Sequence, residues 1–159
     1  AARARHAAAK KAYAAAAANI DAALIKKHRA AEQQAVADYG AHARASQAPD
    51  IAKALEALQA VEQEHALRLA SRIVALGDSP AQHKVPPQQV GRSLIEQLEH
   101  DLCGEQWAIV EYARLVAGIV DDDATAELMT ELLMDEIRHA RWLKSTLRTL
   151  QTASWARQA

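Results

Sequence analysis

Apolar residues recur at alternating spacings of three and four residues along four segments of the chain, the pattern of helices with one buried face. The pattern predicts helices over residues 20–46, 51–76, 92–119 and 124–150. We expect Asn19, Asp50 and the triplet Asp121–Asp123 to cap the first, second and fourth of them. The third helix has the most regular apolar stripe: Ile95, Leu98, Leu102, Ile109, Val116 and Ile119.

The connections between these segments predict how the helices are arranged. Short turns join the first helix to the second and the third to the fourth, which makes each pair an antiparallel hairpin. Residues 77–91 hold three of the four prolines, so no helix runs through them. About 14 extended residues span roughly 45 Å, enough to cross the length of a bundle. The sequence therefore predicts an all-α four-helix bundle over residues 19–150, made of two hairpins joined by a long crossover.

Ionisable residues interrupt two of the apolar stripes at the same spacing. Glu62 and His65 replace apolar residues on the second helix, and Glu136 and His139 do so on the fourth. A carboxylate removed from water costs several kcal/mol unless it is neutralised, paired or bound to a metal. Because residues three apart project from one face of a helix, each Glu and His can hold the same ion.

The two halves of the sequence repeat a further pair of residues. Glu32 is followed by Tyr39 on the first helix, and Glu105 by Tyr112 on the third, at the same spacing of seven. Four Glu and two His would thus meet in the core, and two divalent ions would neutralise the four carboxylates. Such ligands favour Fe(II), with Mn or Zn as substitutes.

Charge and cysteine content limit the setting in which the protein works. Seven of the 19 Lys and Arg residues, but only Asp21 of the 20 acids, fall in residues 1–31. We interpret residues 1–18 as a basic, Ala-rich extension that either contacts DNA or is a solvated helix, and residues 151–159 as a tail. The single cysteine, Cys103, excludes an internal disulfide and fits a reducing compartment, here expected to be the cytoplasm. No apolar stretch is long enough to predict a membrane span.

Four segments of the chain resemble bacterioferritin: EQQAVADYGAHA from Glu32, EQEHALRLASRIVALGDSP from Glu62, DLCGE from Asp101 and DEIRHARWL from Asp135. The resemblance covers residues 20–150 and implies a ferritin-like bundle with a di-iron site. It implies that Glu32 and His65 are terminal ligands of one iron and Glu105 and His139 of the other, with Glu62 and Glu136 bridging. Tyr39 would hydrogen-bond a ligand or supply an electron, and the internal repeat suggests the same role for Tyr112.

Two departures from that family change what we expect of the assembly. Gln63 stands where bacterioferritins have the haem-binding Met, so haem is not expected. Residues 154–159 are too few for the family's fifth helix, and the N-terminal extension is more similar to Dps-like ferritins. We therefore expect a homo-oligomeric cage of twelve subunits, with twenty-four as the alternative.

Three functions are compatible with the sequence. The favoured one is a ferroxidase that oxidises Fe(II) with O2 or H2O2 and stores the mineral inside the cage. The second is a small-oligomer di-iron peroxidase of the rubrerythrin type, although the chain has no cysteine pair for a rubredoxin-like electron donor. The third is a Dps-like protein that protects DNA through residues 1–18.

Overall fold

A computed structural model describes residues 2–81, 83–86 and 91–156, with side chains described from residue 23 onward except that of residue 154. Four α-helices account for most of them: α1 Ala2–Ala45, α2 Pro49–Ala75, α3 Leu94–Gly118 and α4 Asp123–Ala156. The described part of the chain contains no β-strand. The predicted all-α class is confirmed. No described helix is long and apolar enough to cross a membrane.

The helices pack as two hairpins, α1 with α2 and α3 with α4. Two apolar clusters fill the bundle, and each takes residues from all four helices. One cluster holds Ile25, Leu69, Ile73, Tyr112, Leu115, Met129 and Leu132. The other holds Tyr39, Ala43, Leu55, Leu98, Leu143 and Leu147. Along every helix the predicted metal ligands fall between the two clusters, so the polar layer lies at the middle of the bundle.

Local signals fix the helix ends close to their predicted places. At the end of α2, Gly77 adopts a positive φ of 81°, and the N–H of Asp78 donates to the carbonyl of Ile73 at 3.1 Å. Asp122 caps α4 by accepting the N–H of Thr125 at 3.1 Å. The prediction that Asp50 caps α2 is wrong, because the helix begins at Pro49 without a side-chain cap. Proline suits this position because its missing N–H would be unpaired there.

Two helices are longer than predicted. The prediction that the first helix starts near residue 20, with Asn19 as its cap, is wrong because α1 runs without interruption from Ala2. Alanine has the highest helix propensity, and one Asn inside a helix costs less than about 1 kcal/mol. Likewise α4 continues to Ala156, six residues into the predicted tail, and residues 157–159 lie outside the described part. The division into extension, bundle and tail stays a prediction.

The first part of the crossover is fastened to α1. Lys26 Nζ lies 2.7 Å from Asp78 Oδ2, and Arg29 donates to the carbonyl of Ala81 at 2.6 Å. The described residues between α2 and α3 form neither helix nor strand. As predicted, a long irregular segment connects the two hairpins.

Candidate metal centre

Six ionisable side chains converge on the middle of the bundle, and all are at most 5% exposed. α1 and α3 each provide one carboxylate, while α2 and α4 each provide a Glu and a His three residues apart. Their ligand atoms form two groups, each lying within 4.8 Å. One group is Glu32, Glu62, His65 and Glu136, and the other is Glu62, Glu105, Glu136 and His139.

Glu62 and Glu136 belong to both groups and place a carboxylate between the two histidines. His65 Nδ1 lies 3.1 Å from Glu62 Oε2 and 3.1 Å from Glu136 Oε1. His139 Nδ1 lies 2.8 Å from Glu62 Oε1 and 3.5 Å from Glu136 Oε2. Each shared carboxylate therefore turns one oxygen toward each histidine, as a bridging ligand of two ions must.

The remaining carboxylates each accompany one histidine. Glu32 Oε2 lies 3.8 Å from His65 Nδ1, and Glu105 Oε1 lies 3.6 Å from His139 Nδ1. This is the pairing that the resemblance implies for terminal ligands. The structure brings all six predicted ligands together, while coordination itself stays a prediction.

The two tyrosines bind the terminal carboxylates across the bundle. Tyr39 on α1 donates its hydroxyl proton to Glu105 on α3, and Tyr112 on α3 donates to Glu32 on α1. The tyrosines are 2% and 0% exposed, and burial raises both their pKa values well above the usual range. Both phenols are therefore neutral donors, and each half of the repeat orients a ligand of the other half.

Burial and neighbouring charges divide the carboxyl groups into two kinds. Burial raises the pKa of Glu105 to about 9 and that of Glu32 well above its usual value. Burial also acts to raise the pKa of Glu62 and Glu136, but the close approach of His139 and His65 outweighs it, so both pKa values are lowered.

The histidines respond in the opposite sense. Burial acts to lower the pKa of His65 and of His139, but their bonds to the surrounding carboxylates raise both to about 12. At pH 7 two imidazolium ions therefore lie beside the Glu62 and Glu136 carboxylates, and Glu105 keeps its proton. The positive charges of the two histidines offset the negative charges of the two shared carboxylates.

Several of the ligand atoms lack hydrogen-bond partners. Glu62 Oε1, Glu105 Oε2, Glu136 Oε1 and His139 Nδ1 are buried, and the close approaches among them, such as 2.8 Å between His139 Nδ1 and Glu62 Oε1, lack the geometry of a hydrogen bond. An unsatisfied buried polar atom costs about 1–3 kcal/mol. Two divalent cations would satisfy these atoms and neutralise all four carboxylates, so the donor set fits a dinuclear metal centre.

Comparison with known proteins agrees with this architecture. The model of the Ferritin family, described as a ferritin-like domain, matches residues 22–153, which is more than half of the chain. The chain belongs to the ferritin family. A bacterioferritin of Brucella melitensis biotype 1 is 34% identical to this ferritin over 88 residues. That stretch is 54% of this chain and 55% of the relative, so the match spans about half of each.

Solved structures resemble this ferritin over most of its length. A bacterioferritin of Rhodobacter capsulatus, with a metal-free dinuclear site and haem iron, has a TM-score of 0.78 at 24% identity, covering 84% of this chain and 87% of that chain. A dodecameric thioferritin, the bacterioferritin-related protein from Bacteroides fragilis, has a TM-score of 0.80 at 17% identity, covering 87% and 90%. These likenesses show the fold.

Sequence reasoning missed a second set of polar residues in this ferritin, between α1 and α3. His42 is buried and lies 2.8 Å from Asp101 Oδ1. Beside it, His100 Nε2 lies 3.5 Å from Asp38 Oδ2. Asp38 and His42 are one turn apart on α1, and His100 and Asp101 lie one turn before Glu105 on α3. This spacing was visible in the sequence, but nothing there indicated that α1 and α3 would bring the two pairs together.

Proposed function

We propose that the chain is a ferroxidase that oxidises Fe(II) at the dinuclear centre, with O2 or H2O2 as the oxidant, and stores the ferric product inside an oligomeric cage. The two four-ligand groups that share Glu62 and Glu136 carry the proposal. Two Fe(II) ions together provide the two electrons that reduce O2 to H2O2, or H2O2 to water. A site that can hold two Fe(II) ions side by side, with Glu62 and Glu136 between them, suits this two-electron reaction.

The side chains around the site would hold the substrate ions and control charge. Carboxylate and imidazole ligands bind Fe(II), and also Mn or Zn. The four carboxylates balance two divalent ions, so binding would release the protons of His65, His139 and Glu105. Tyr39 and Tyr112 would keep Glu105 and Glu32 in position through their hydroxyl groups. Either phenol could also supply an electron during the reaction.

Single substitutions in the shared carboxylates test the proposal. We expect Glu62→Ala and Glu136→Ala to abolish the rapid phase of Fe(II) oxidation, measured by stopped-flow absorbance under O2 and under H2O2. The control is Glu127→Ala, which removes an exposed acid from α4 and should leave the rate unchanged. Far-ultraviolet circular dichroism should show intact helices in all three variants. Undiminished oxidation in both bridging variants would disprove the site.

The assembly belongs to the same proposal. The Bacteroides fragilis relative is dodecameric, and we propose twelve subunits for this chain, with twenty-four as the alternative. Light scattering measures the native mass. A dimer or tetramer would leave no interior for mineral and would favour the rubrerythrin-like peroxidase.

Haem and DNA binding stay predictions. The Rhodobacter capsulatus relative contains haem iron, whereas Gln63 is exposed on α2 where bacterioferritins have their haem ligand. A Soret band that survives purification would contradict the expectation of no haem. Contact with DNA was predicted for residues 1–18, whose side chains lie outside the described part. Salt-sensitive retention of DNA that is lost on deleting them would support it.

A further inference from the structure

A cavity of about 400 Å³ lies between α1 and α3 and reaches from the protein surface to the metal centre. Its outer part is lined by exposed residues, among them Cys103 and Trp107, the latter 40% exposed. Its inner part is lined by Glu62 and Glu136, which are 0% and 1% exposed. The cavity therefore joins solvent to the ligands that both ions would share.

Carboxyl groups line this cavity from its outer end to its inner end. The lining includes six carboxyl groups, and among the described residues that line the cavity there is neither Lys nor Arg. Four of the six belong to the metal centre and Asp101 is held by His42, which leaves Asp38 as the carboxylate of the outer part that can take a cation. The six acids are Glu32, Asp38, Glu62, Asp101, Glu105 and Glu136.

Asp38 and His100 have the geometry of a metal-binding pair in the outer part of the cavity. Their side chains are 14% and 63% exposed, and Asp38 Oδ2 lies 3.5 Å from His100 Nε2. Zinc lies about 2.0–2.2 Å from carboxylate and imidazole ligands, so two such ligands at a tetrahedral angle are about 3.4 Å apart. A divalent cation can therefore bind both atoms with little movement.

Asp38 also accepts hydrogen bonds from Gln34 Nε2, at 3.0 Å on Oδ1 and 3.2 Å on Oδ2, so a bound cation would share this carboxylate with Gln34. Asp101 is held by His42, whose Nδ1 lies 2.8 Å from Oδ1 and 3.0 Å from Oδ2. The rings of His42 and His100 lie edge to face, with their centroids 5.9 Å apart. The buried pair of His42 and Asp101 fixes the end of the cavity wall. Asp38 is adjacent in sequence to Tyr39, which binds Glu105, so the outer pair stands next to the innermost ligands.

We propose that Asp38 and His100 form a transit site that captures Fe(II) at the outer end of the cavity and passes it to the dinuclear centre. The proposal rests on the proposed ferroxidase function. Two ligands hold an ion weakly, while four bind it at the centre, so the ion moves inward with a gain in affinity. The site affects how fast ions arrive, and it leaves unchanged how many are bound at equilibrium.

The test follows the binding of Co(II) to the metal-free protein by stopped-flow visible absorption, without any oxidation. We expect the double variant Asp38→Asn/His100→Gln to bind two ions per chain, as the unmodified protein does, but at a rate reduced about tenfold. The matched control is Asp50→Asn/His83→Gln, which makes the same chemical changes at exposed residues outside the cavity. The control should bind Co(II) at the original rate.

A second measurement separates capture from catalysis. In Fe(II) oxidation, loss of the transit site should raise the Fe(II) concentration at half-maximal rate while leaving the rate at saturation unchanged. An unaltered Co(II) rate in the Asp38/His100 variant, with two ions still bound, would overturn the transit site alone. Failure of the unmodified protein to bind two ions would overturn the dinuclear centre, and the transit site with it.

Discussion

Adding a redox-inert divalent cation to the metal-free protein should release at least three protons per chain at pH 7. The centre keeps protons on His65, His139 and Glu105 when it holds no metal, and two Zn(II) ions must replace them. Metal ligands bind in their deprotonated form, so binding is coupled to proton loss. The count of released protons therefore reports the protonation of the empty centre.

The expected minimum follows from the pKa values of three groups, and a proton on Glu32 would add to it. His65 and His139, whose carboxylate neighbours raise their pKa to about 12, are protonated at pH 7. Burial keeps the proton on Glu105, with its pKa at about 9, and raises the pKa of Glu32 well above its usual value. Glu62 and Glu136, whose pKa values are lowered by the histidines, contribute none. Three protons for two ions mean that the overall binding constant rises about 10³-fold per pH unit.

The assay is calorimetric titration with Zn(II) in two buffers of different ionisation enthalpy, which gives the number of protons directly. The Glu127→Ala control should release the same number as the unmodified protein. At pH 10 the count should fall by at least one, because Glu105 has already lost its proton. Release of two protons or fewer at pH 7, with two ions bound, would show that His65, His139 and Glu105 are not all protonated before metal binds.

Three further predictions concern the tyrosines, the pH dependence of stability and a helix cap. Tyr39→Phe and Tyr112→Phe should slow Fe(II) oxidation to similar extents without changing the number of metal ions bound, because each removes one hydrogen bond to a terminal carboxylate. Stopped-flow traces measure the rates. Unequal effects would show that the two halves of the sequence repeat differ in function. Both histidines and Glu105 have folded-state pKa values above their unfolded ones, so their stabilisation is lost as pH rises. The metal-free protein should therefore show a falling Tm from pH 7 to pH 9, and a rising Tm would contradict this sign. Asp122→Ala removes the carboxylate that accepts the Thr125 N–H at the start of α4 and contacts Arg72 at 2.6 Å. It should lower the free energy of unfolding, measured by urea titration, by about 1–3 kcal/mol. An unchanged free energy would count against the cap.

The helices and the candidate ligands could be predicted from the same helical spacing of apolar residues, because that spacing indicates the helices and also shows which polar residues interrupt their buried faces. Glu62 and His65 occupy positions of an apolar stripe, so a burial argument located them and the internal repeat supplied Glu105. The start of α1 could not be found in this way. A run of alanines has high helix propensity but no distinct buried face, so the hydrophobic pattern there gives no boundary.

Contacts between helices were beyond sequence reasoning. Tyr39 could have reached a carboxylate on any neighbouring helix, and its bond to Glu105 depends on the register of α1 against α3. The cavity and the pair Asp38 and His100 depend on the same register. Spacing along one helix predicts which side chains share a face, whereas the distance between faces comes from packing.

Anomalous diffraction from crystals soaked with Zn(II) or Fe(II) tests the dinuclear centre most directly. The account predicts two peaks per chain, about 3.5–4 Å apart, on either side of the carboxylates of Glu62 and Glu136. His65 should contact one ion and His139 the other. A single peak, or peaks away from these two carboxylates, would contradict the assignment of the shared ligands and the function proposed from it.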